Sequence, residues 1–180
     1  MEVQASLFEN ANMNARSSAE FWYGEIWKSV NKCVLCDMRE KYVLMELDDV
    51  VLTTNIYPYI NGALMIVPKR HVTHLKDLTP KEWETVRVLE YVAKKFLRLV
   101  FGYKCVWMIY REGGSLGEES QKTVEHLHIH LIPYINGLVN INYQKITYPP
   151  RVLAKDFKDN KKFFKEMIER FKRKYTTSNK

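Results

Sequence analysis

The sequence predicts an α+β fold in which short strands gather around one long helix. Three observations point to it. Two β-rich segments and a continuous apolar run follow one another before residue 68, a single helical period runs from residue 80 to residue 100, and two further strand-like runs come after it. The length of 180 residues suits one hydrophobic core with an appendage. A composition of 46% hydrophobic and 27% charged residues, with 7 Gly and 6 Pro, excludes collagen-like, low-complexity and wholly disordered classes.

Residues 1–16 are polar and aperiodic, as expected of a loosely docked end. From Ser18 the spacing of Phe21, Trp22, Ile26, Trp27 and Val30 predicts an N-capped helix. Its aromatic face needs a cover, either its own domain or a second copy of the chain. Tyr42–Leu47 and Val50–Thr54, separated by Asp48 and Asp49, predict a hairpin. The Pro, Asn and Gly of residues 55–62 predict a loop, and Ala63–Val67, ended by Pro68, has the unbroken apolar character of a central strand. Thr79 as N-cap, Pro80 at the first helical position and Glu82 in the first turn open the long helix. Its apolar set is Trp83, Val86, Leu89, Val92, Ala93, Phe96, Leu97 and Val100, and Gly102 stops it. A strand over Lys104–Tyr110, a Gly- and Ser-containing loop over 111–122 and a strand over Thr123–Pro133 follow. Cys105, inside an apolar run, is expected to be a small buried hydrophobe. From Lys155 onward, Phe157, Phe163, Phe164, Met167, Ile168 and Phe171 among lysines predict an amphipathic terminal helix. The expected organisation is an extension over 1–32, a domain over 33–150 and a basic helix over 151–180.

Of the net charge of +7, residues 155–180 hold +6 and residues 1–154 only +1. The basic excess is therefore chiefly the solvated face of the terminal helix, a weak reason to expect nucleic acid as a partner. No stretch approaches the 18 or so apolar residues of a membrane span, and the N-terminus lacks the basic-then-apolar plan of a signal peptide. A cytoplasmic location and no membrane partner are the expectation. Cys33 and Cys36, two of three cysteines, are too close in sequence to staple a fold. Their spacing is half of a tetrahedral zinc site whose other ligands come from elsewhere in the chain. A thioredoxin-like redox pair would need a βα turn context that this segment lacks.

The segment His126-Leu127-His128-Ile129-His130-Leu131-Ile132 holds three of the five histidines. Alternate residues of a strand share a face, so three imidazoles would point one way while Leu127, Ile129 and Leu131 enter the core. Such a row suits a metal site or a nucleophile supported by its neighbours. Satisfied structural histidines are the bland alternative.

Those seven residues match the signature of the histidine-triad (HIT) superfamily of nucleotidyl hydrolases and transferases, which the chain resembles from about Cys33 to Pro133. Asn55-Ile56-Tyr57-Pro58 through Gly62 to Pro68 is similar to the family's nucleotide-lining loop and strand, and Leu78-Thr79-Pro80 to the start of its long helix. The resemblance implies a HIT-like fold, an antiparallel sheet with one long helix packed on it. It implies His128 as the nucleophile toward an α-phosphorus, His130 as a hydrogen-bonding partner of phosphate oxygens, and Thr123 as a hydroxyl near the leaving group. Asn55 would bind ribose. Ser115 stands where an Asn or Gln usually contacts phosphate, in the Gly113–Gly117 loop. It also implies that Cys33, Cys36, His71 and His126 hold a structural zinc, with His74 the alternative to His71, and that no organic cofactor is needed.

The aromatic helix before Cys33 and the stretch ending Pro150-Arg151-Val152-Leu153 look most like the diadenosine-polyphosphate hydrolases and phosphorylases. Cleavage of a dinucleoside polyphosphate by a homodimer is the resulting expectation. A phosphoramidate hydrolase acting on amine-linked adenosine monophosphate, and a non-catalytic nucleotide-binding module, are the alternatives.

Overall fold

The computed structural model describes residues 33–38, 40–55, 58, 60–113, 124–135 and 150–175. The expected aromatic helix near residues 18–30 lies outside them. Contacts divide the chain into two compact units, Met1–Leu138 and Val139–Lys180.

The first unit is built on a five-stranded sheet of β1 (Val43–Leu47), β2 (Val50–Thr54), β3 (Leu64–Pro68), β4 (Val106–Ile109) and β5 (Ile129–Pro133). The strands are ordered β1-β2-β3-β5-β4 and every neighbouring pair is antiparallel. The predicted β1–β2 hairpin is present, and Asp48 and Asp49 turn it with φ of 46° and 61°. Two consecutive left-handed residues match the twist of the strands they join, and Asp tolerates that conformation better than most side chains. Helix α1 (Pro80–Phe101) links β3 to β4 across one face of the sheet. Its start is a full capping box: Thr79 Oγ1 accepts from the Glu82 N–H while Glu82 accepts from the Thr79 N–H. Gly102, at φ 72°, ends it in the left-handed conformation that a glycine adopts at no steric cost.

The core lies between α1 and the sheet. Val86, Leu89, Ala93 and Leu97 of the helix pack on Val50, Leu52, Leu64, Ile66, Ile129 and Leu131, all at most 3% exposed. A buried aliphatic side chain of this size contributes about 1.5–3 kcal/mol, so this interlock is what places β5 between β3 and β4. Trp83, Phe96 and Val100, expected on the same apolar face, are instead exposed by 46%, 41% and 54%. The helix is about 33 Å long at 1.5 Å per residue, whereas five-residue strands span about 17 Å, so the sheet cannot cover both of its ends.

Gly62, at φ 81°, lies where an added Cβ would fall 3.0 Å from Leu97 Cδ2 and 3.3 Å from the Phe101 ring. Gly62→Ala is expected to destabilise the unit by about 1–3 kcal/mol through left-handed strain and crowding. Urea unfolding would register this as a lower midpoint, and an unchanged midpoint would contradict it.

Three further expectations change. The strand expected over Lys104–Tyr110 narrows to Val106–Ile109. Cys105 therefore precedes the edge strand and is exposed, its carbonyl accepting from the Tyr134 N–H, rather than entering the core. The strand expected over Thr123–Pro133 begins only at Ile129 within the described residues. Just upstream the Leu127 N–H bonds to Val72 C=O at 2.6 Å, which draws residues 126–127 onto the segment after β3 and away from the ladder.

In the second unit the amphipathic terminal helix is two helices, α2 (Pro150–Asp159) and α3 (Lys161–Tyr175), separated by Asn160. The Asn160 side chain bonds to Asp156 C=O at 2.8 Å, a local side-chain bond of the kind that makes Asn a poor interior helix residue. No helix among the described residues is long and apolar enough to cross a membrane.

Candidate active site and metal cluster

Residues facing one another across neighbouring strands share a face, and Thr53, Met65, His130 and Ile109 form one such row. It is the face opposite α1, because Ile129 and Leu131 on either side of His130 pack against the helix. Met65 and Val67 gather Leu35, Val34, Cys33 and Met38 over this face, which brings the Cys33–Cys36 turn beside the histidine segment. The turn is tight, with the Cys36 and Asp37 N–H groups both donating to Cys33 C=O.

Within the histidine run, residues 126–128 precede the ladder, which begins at Ile129, and the side chain of His126 is separated from the His128–His130 pair. His126 is 1% exposed, and its Nε2 lies 2.8 Å from Pro68 C=O. That carbonyl can only accept, so Nε2 carries the proton and Nδ1 keeps its lone pair. Nδ1 is aimed at the cysteines, 3.5 Å from Cys33 Sγ and 3.3 Å from Cys36 Sγ. His71 Nδ1 is 3.2 Å from Cys36 Sγ, and the four donor atoms all lie within 4.8 Å of one another. Cys33, Cys36, His71 and His126 are thus positioned to bind a metal ion, with the tautomer of His126 already set for ligation. His74 is not in the cluster; its Nδ1 is 2.7 Å from the Thr73 hydroxyl. Burial, with Cys33 alongside, pushes the Cys36 thiol up to about 11, and burial takes His126 down to about 4. A cation among these groups would favour the thiolate instead.

His128 and His130 form the other half, with ring centroids 4.8 Å apart in an edge-to-face pair. His128 is half-buried and its Nδ1 lies 2.8 Å from His126 C=O. By the same logic Nδ1–H donates and Nε2 keeps its lone pair. Burial, then the charges of His128 and Arg111, depresses His130 to about 3, so its ring is neutral at neutral pH and offers one N–H donor and one acceptor nitrogen. Arg111 was missed by pattern reading. Its usable signal is its place two residues beyond Ile109, which faces His130 across β4 and β5. Asn55 follows β2 directly, half-buried, with its backbone N–H bonded to Ala63 C=O. Ser115 and Thr123 lie outside the described residues.

A second element that pattern reading missed holds the His71 segment. Arg70 makes a bidentate pair with Glu82, at 3.2 Å from Nε and 2.8 Å from Nη2, and also donates to Asp77 C=O. Burial raises the Glu82 carboxyl, but the bonds from Arg70 and Thr79 outweigh it and hold the group below its usual range. Glu82 therefore stabilises the fold at pH above the ordinary carboxylate range, and this contribution is lost as pH falls through its lower native value. Glu82→Gln is expected to cost about 2 kcal/mol at neutral pH. Urea melts of both proteins should converge on acidification below the usual carboxylate range, and a gap that stays constant would contradict the assignment.

With this geometry in place, a family model for the HIT domain matches residues 38–136. The bis(5'-nucleosyl)-tetraphosphatase (asymmetrical) of Schizosaccharomyces pombe is 34% identical over 83 residues, which is 44% of this chain and 41% of that protein. The AP-4-A phosphorylase of Mycobacterium tuberculosis is 33% identical over 87 residues, 48% of this chain and 43% of that protein. The matches thus span less than half the length of these curated relatives. Among solved structures, a HIT family member from Bacillus subtilis shares the fold with a TM-score of 0.59 at 18% identity, over 72% of this chain and 95% of that one. A histidine triad nucleotide-binding protein from Candida albicans does so with a TM-score of 0.58 at 18% identity, over 76% and 99%. Since the family model extends over more than half of the 180 residues and ends just past the histidine run, the chain belongs to the HIT domain family.

Proposed function

We propose that this chain is a nucleotidyl hydrolase or transferase that cleaves dinucleoside polyphosphates of the diadenosine tetraphosphate type, with His128 as nucleophile. The observation that carries the reading is the bond from His128 Nδ1–H to His126 C=O, which leaves Nε2 unprotonated without a separate base. The Nε2 lone pair attacks the α-phosphorus, and the bond from that phosphorus to the bridging oxygen breaks with its electron pair leaving on the departing phosphate chain. Water or inorganic phosphate then attacks the same phosphorus, the P–N bond breaks, its electron pair returns to Nε2, and where water is the acceptor the proton it loses is released to solvent. Each half is an easier displacement than direct attack by water. His130, neutral and adjoining, donates to a non-bridging phosphate oxygen, and Arg111 adds charge beside it. Asn55 serves the ribose hydroxyls; Ser115 and Thr123 serve the phosphate and the leaving group.

The metal of the cluster is zinc in this reading. Tetrahedral zinc with bonds of about 2.3 Å to sulfur and 2.0–2.1 Å to nitrogen places sulfur and nitrogen about 3.6 Å apart, close to the 3.2–3.5 Å found between the cysteine and histidine donors. Its task would be structural, with Cys33, Cys36, His71 and His126 as the residues that would hold it and so tie the Cys33–Cys36 turn to the histidine run. A homodimer belongs to the same proposal, supported by the exposed apolar residues Val88, Phe96 and Leu99 on α1.

The test is incubation of the full chain with diadenosine tetraphosphate and with an adenylyl phosphoramidate, each with and without inorganic phosphate. Product from the tetraphosphate, with phosphate dependence identifying the acceptor, is expected. Turnover of the phosphoramidate alone, or nucleotide binding without product, would overturn the reading.

A further inference from the structure

On the α1 side of the sheet, away from His128 and His130, the C-terminal half of the helix and the segment leading into β4 line a half-open cavity of about 280 Å³. Lys94, Lys95, Arg98 and Lys104 line it together with Tyr91 and Tyr103. Residues 91–104 contain these four cations and no Asp or Glu, although residues 1–154 together are close to neutral. Lys94 pairs with Glu90 at 2.8 Å. Lys95 lies 5.3 Å from the centre of the Tyr91 ring, and among the described residues neither it, Arg98 nor Lys104 has a carboxylate partner within 4.0 Å. Like charges brought together without counter-charge raise the energy of the folded chain, and that cost is relieved when an anion occupies the space between them.

We propose that this cavity is a second anion site, separate from the histidine pair, that takes an oligophosphate, free or carried by a nucleoside. Cations from two segments converge on one small volume, which suits a ligand that concentrates several charges on adjacent phosphoryl groups. An acidic peptide spaces its charges a side chain apart, and a nucleic-acid strand is distinguished by the oligonucleotide comparison below. The tyrosine hydroxyls supply neutral donors for phosphate oxygens, and the Arg98 guanidinium can grip two of them at once.

The experiment is calorimetric titration of the full chain with inorganic tripolyphosphate and, separately, with ATP. Tripolyphosphate is expected to bind one equivalent per chain, and Arg98→Ala/Lys104→Ala to weaken it at least tenfold with a melting temperature of the free chain that is not lowered, since both side chains are exposed and their removal relieves like-charge repulsion. Lys95→Glu, a single exposed change, should give a similar loss and guards against misfolding of the double variant. Equal affinity for ATP assigns the phosphate chain alone as the ligand; tighter ATP binding with the same losses assigns a nucleotide. Lys161→Ala/Lys162→Ala removes as many charges from α3 and should leave affinity within twofold. An unchanged affinity in the cavity variants, an equal loss in the α3 variant, or a greater loss toward a single-stranded oligonucleotide than toward tripolyphosphate would overturn the site.

Discussion

His128→Ala is expected to reduce kcat/KM for diadenosine tetraphosphate by at least about 10⁴-fold, the scale of loss when a covalent nucleophile is removed. Three features make the expectation specific to this residue. His126 is directed at the cysteines, and His130, at 6% exposure, is set deeper than the half-buried His128 and serves the phosphate oxygens in this reading, so the attacking nitrogen falls to His128. Folding should survive the change, because Leu127 and Ile129, its buried neighbours, remain in place at 2% and 0% exposure. Nucleotide affinity should also survive, since alanine removes the attacking atom and leaves Asn55 and His130. Steady-state kinetics, equilibrium binding and a thermal melt separate these outcomes. Retention of even a few per cent of the wild-type rate would end the assignment of His128 as nucleophile.

Loss of the metal is expected to act twice. Wild-type chain should contain one zinc by elemental analysis, and Cys36→Ser or exhaustive chelation should remove it. The direct consequence is stability, because an ion held by Cys33, Cys36, His71 and His126 would bridge a turn near residue 35, the segment after β3 and the start of the histidine run. A loss of about 2 kcal/mol or more corresponds to a fall in Tm of roughly 8 °C or more for a unit of this size. The indirect consequence is kinetic. His126 faces the metal cluster through its side chain, and its main-chain carbonyl is the acceptor that sets the His128 tautomer. Metal-free chain should therefore show a lower kcat with a smaller change in KM, and restored zinc should reverse both effects. Full stability and full kcat in a chain shown to be metal-free would contradict both roles.

The helix α1 was legible almost to the residue, because Thr79, Pro80, Glu82 and Gly102 act locally and need no partner beyond one helical turn. The β1–β2 hairpin was legible for the same reason, its two-residue turn being flanked by β-formers. The exposed ends of α1 were not, since periodicity states which face is apolar and not how far the sheet beneath it extends. Cys105 illustrates the same limit: an apolar neighbourhood in sequence became an exposed position just ahead of an edge strand. The four metal-cluster residues were named from the HIT resemblance and are brought within 4.8 Å of one another. Arg70–Glu82 and Arg111 were not found, because an ion pair across 12 residues and a charge beyond a strand end have no spacing signature.

What the sequence by itself determined is the set of local elements and the chemistry available: a capped helix, a hairpin, an alternating run of histidines and a Cys-x-x-Cys pair. Tertiary structure alone decided how that chemistry is divided. The Leu127 N–H bonds to Val72 C=O and residues 126–128 lie ahead of the ladder, which begins at Ile129; there His126 faces the cysteines while the rings of His128 and His130 stay together. The alternation of side chains along a strand could not foretell this, because it holds only as far as the ladder does, and where a ladder ends is set by competing hydrogen bonds from distant parts of the chain.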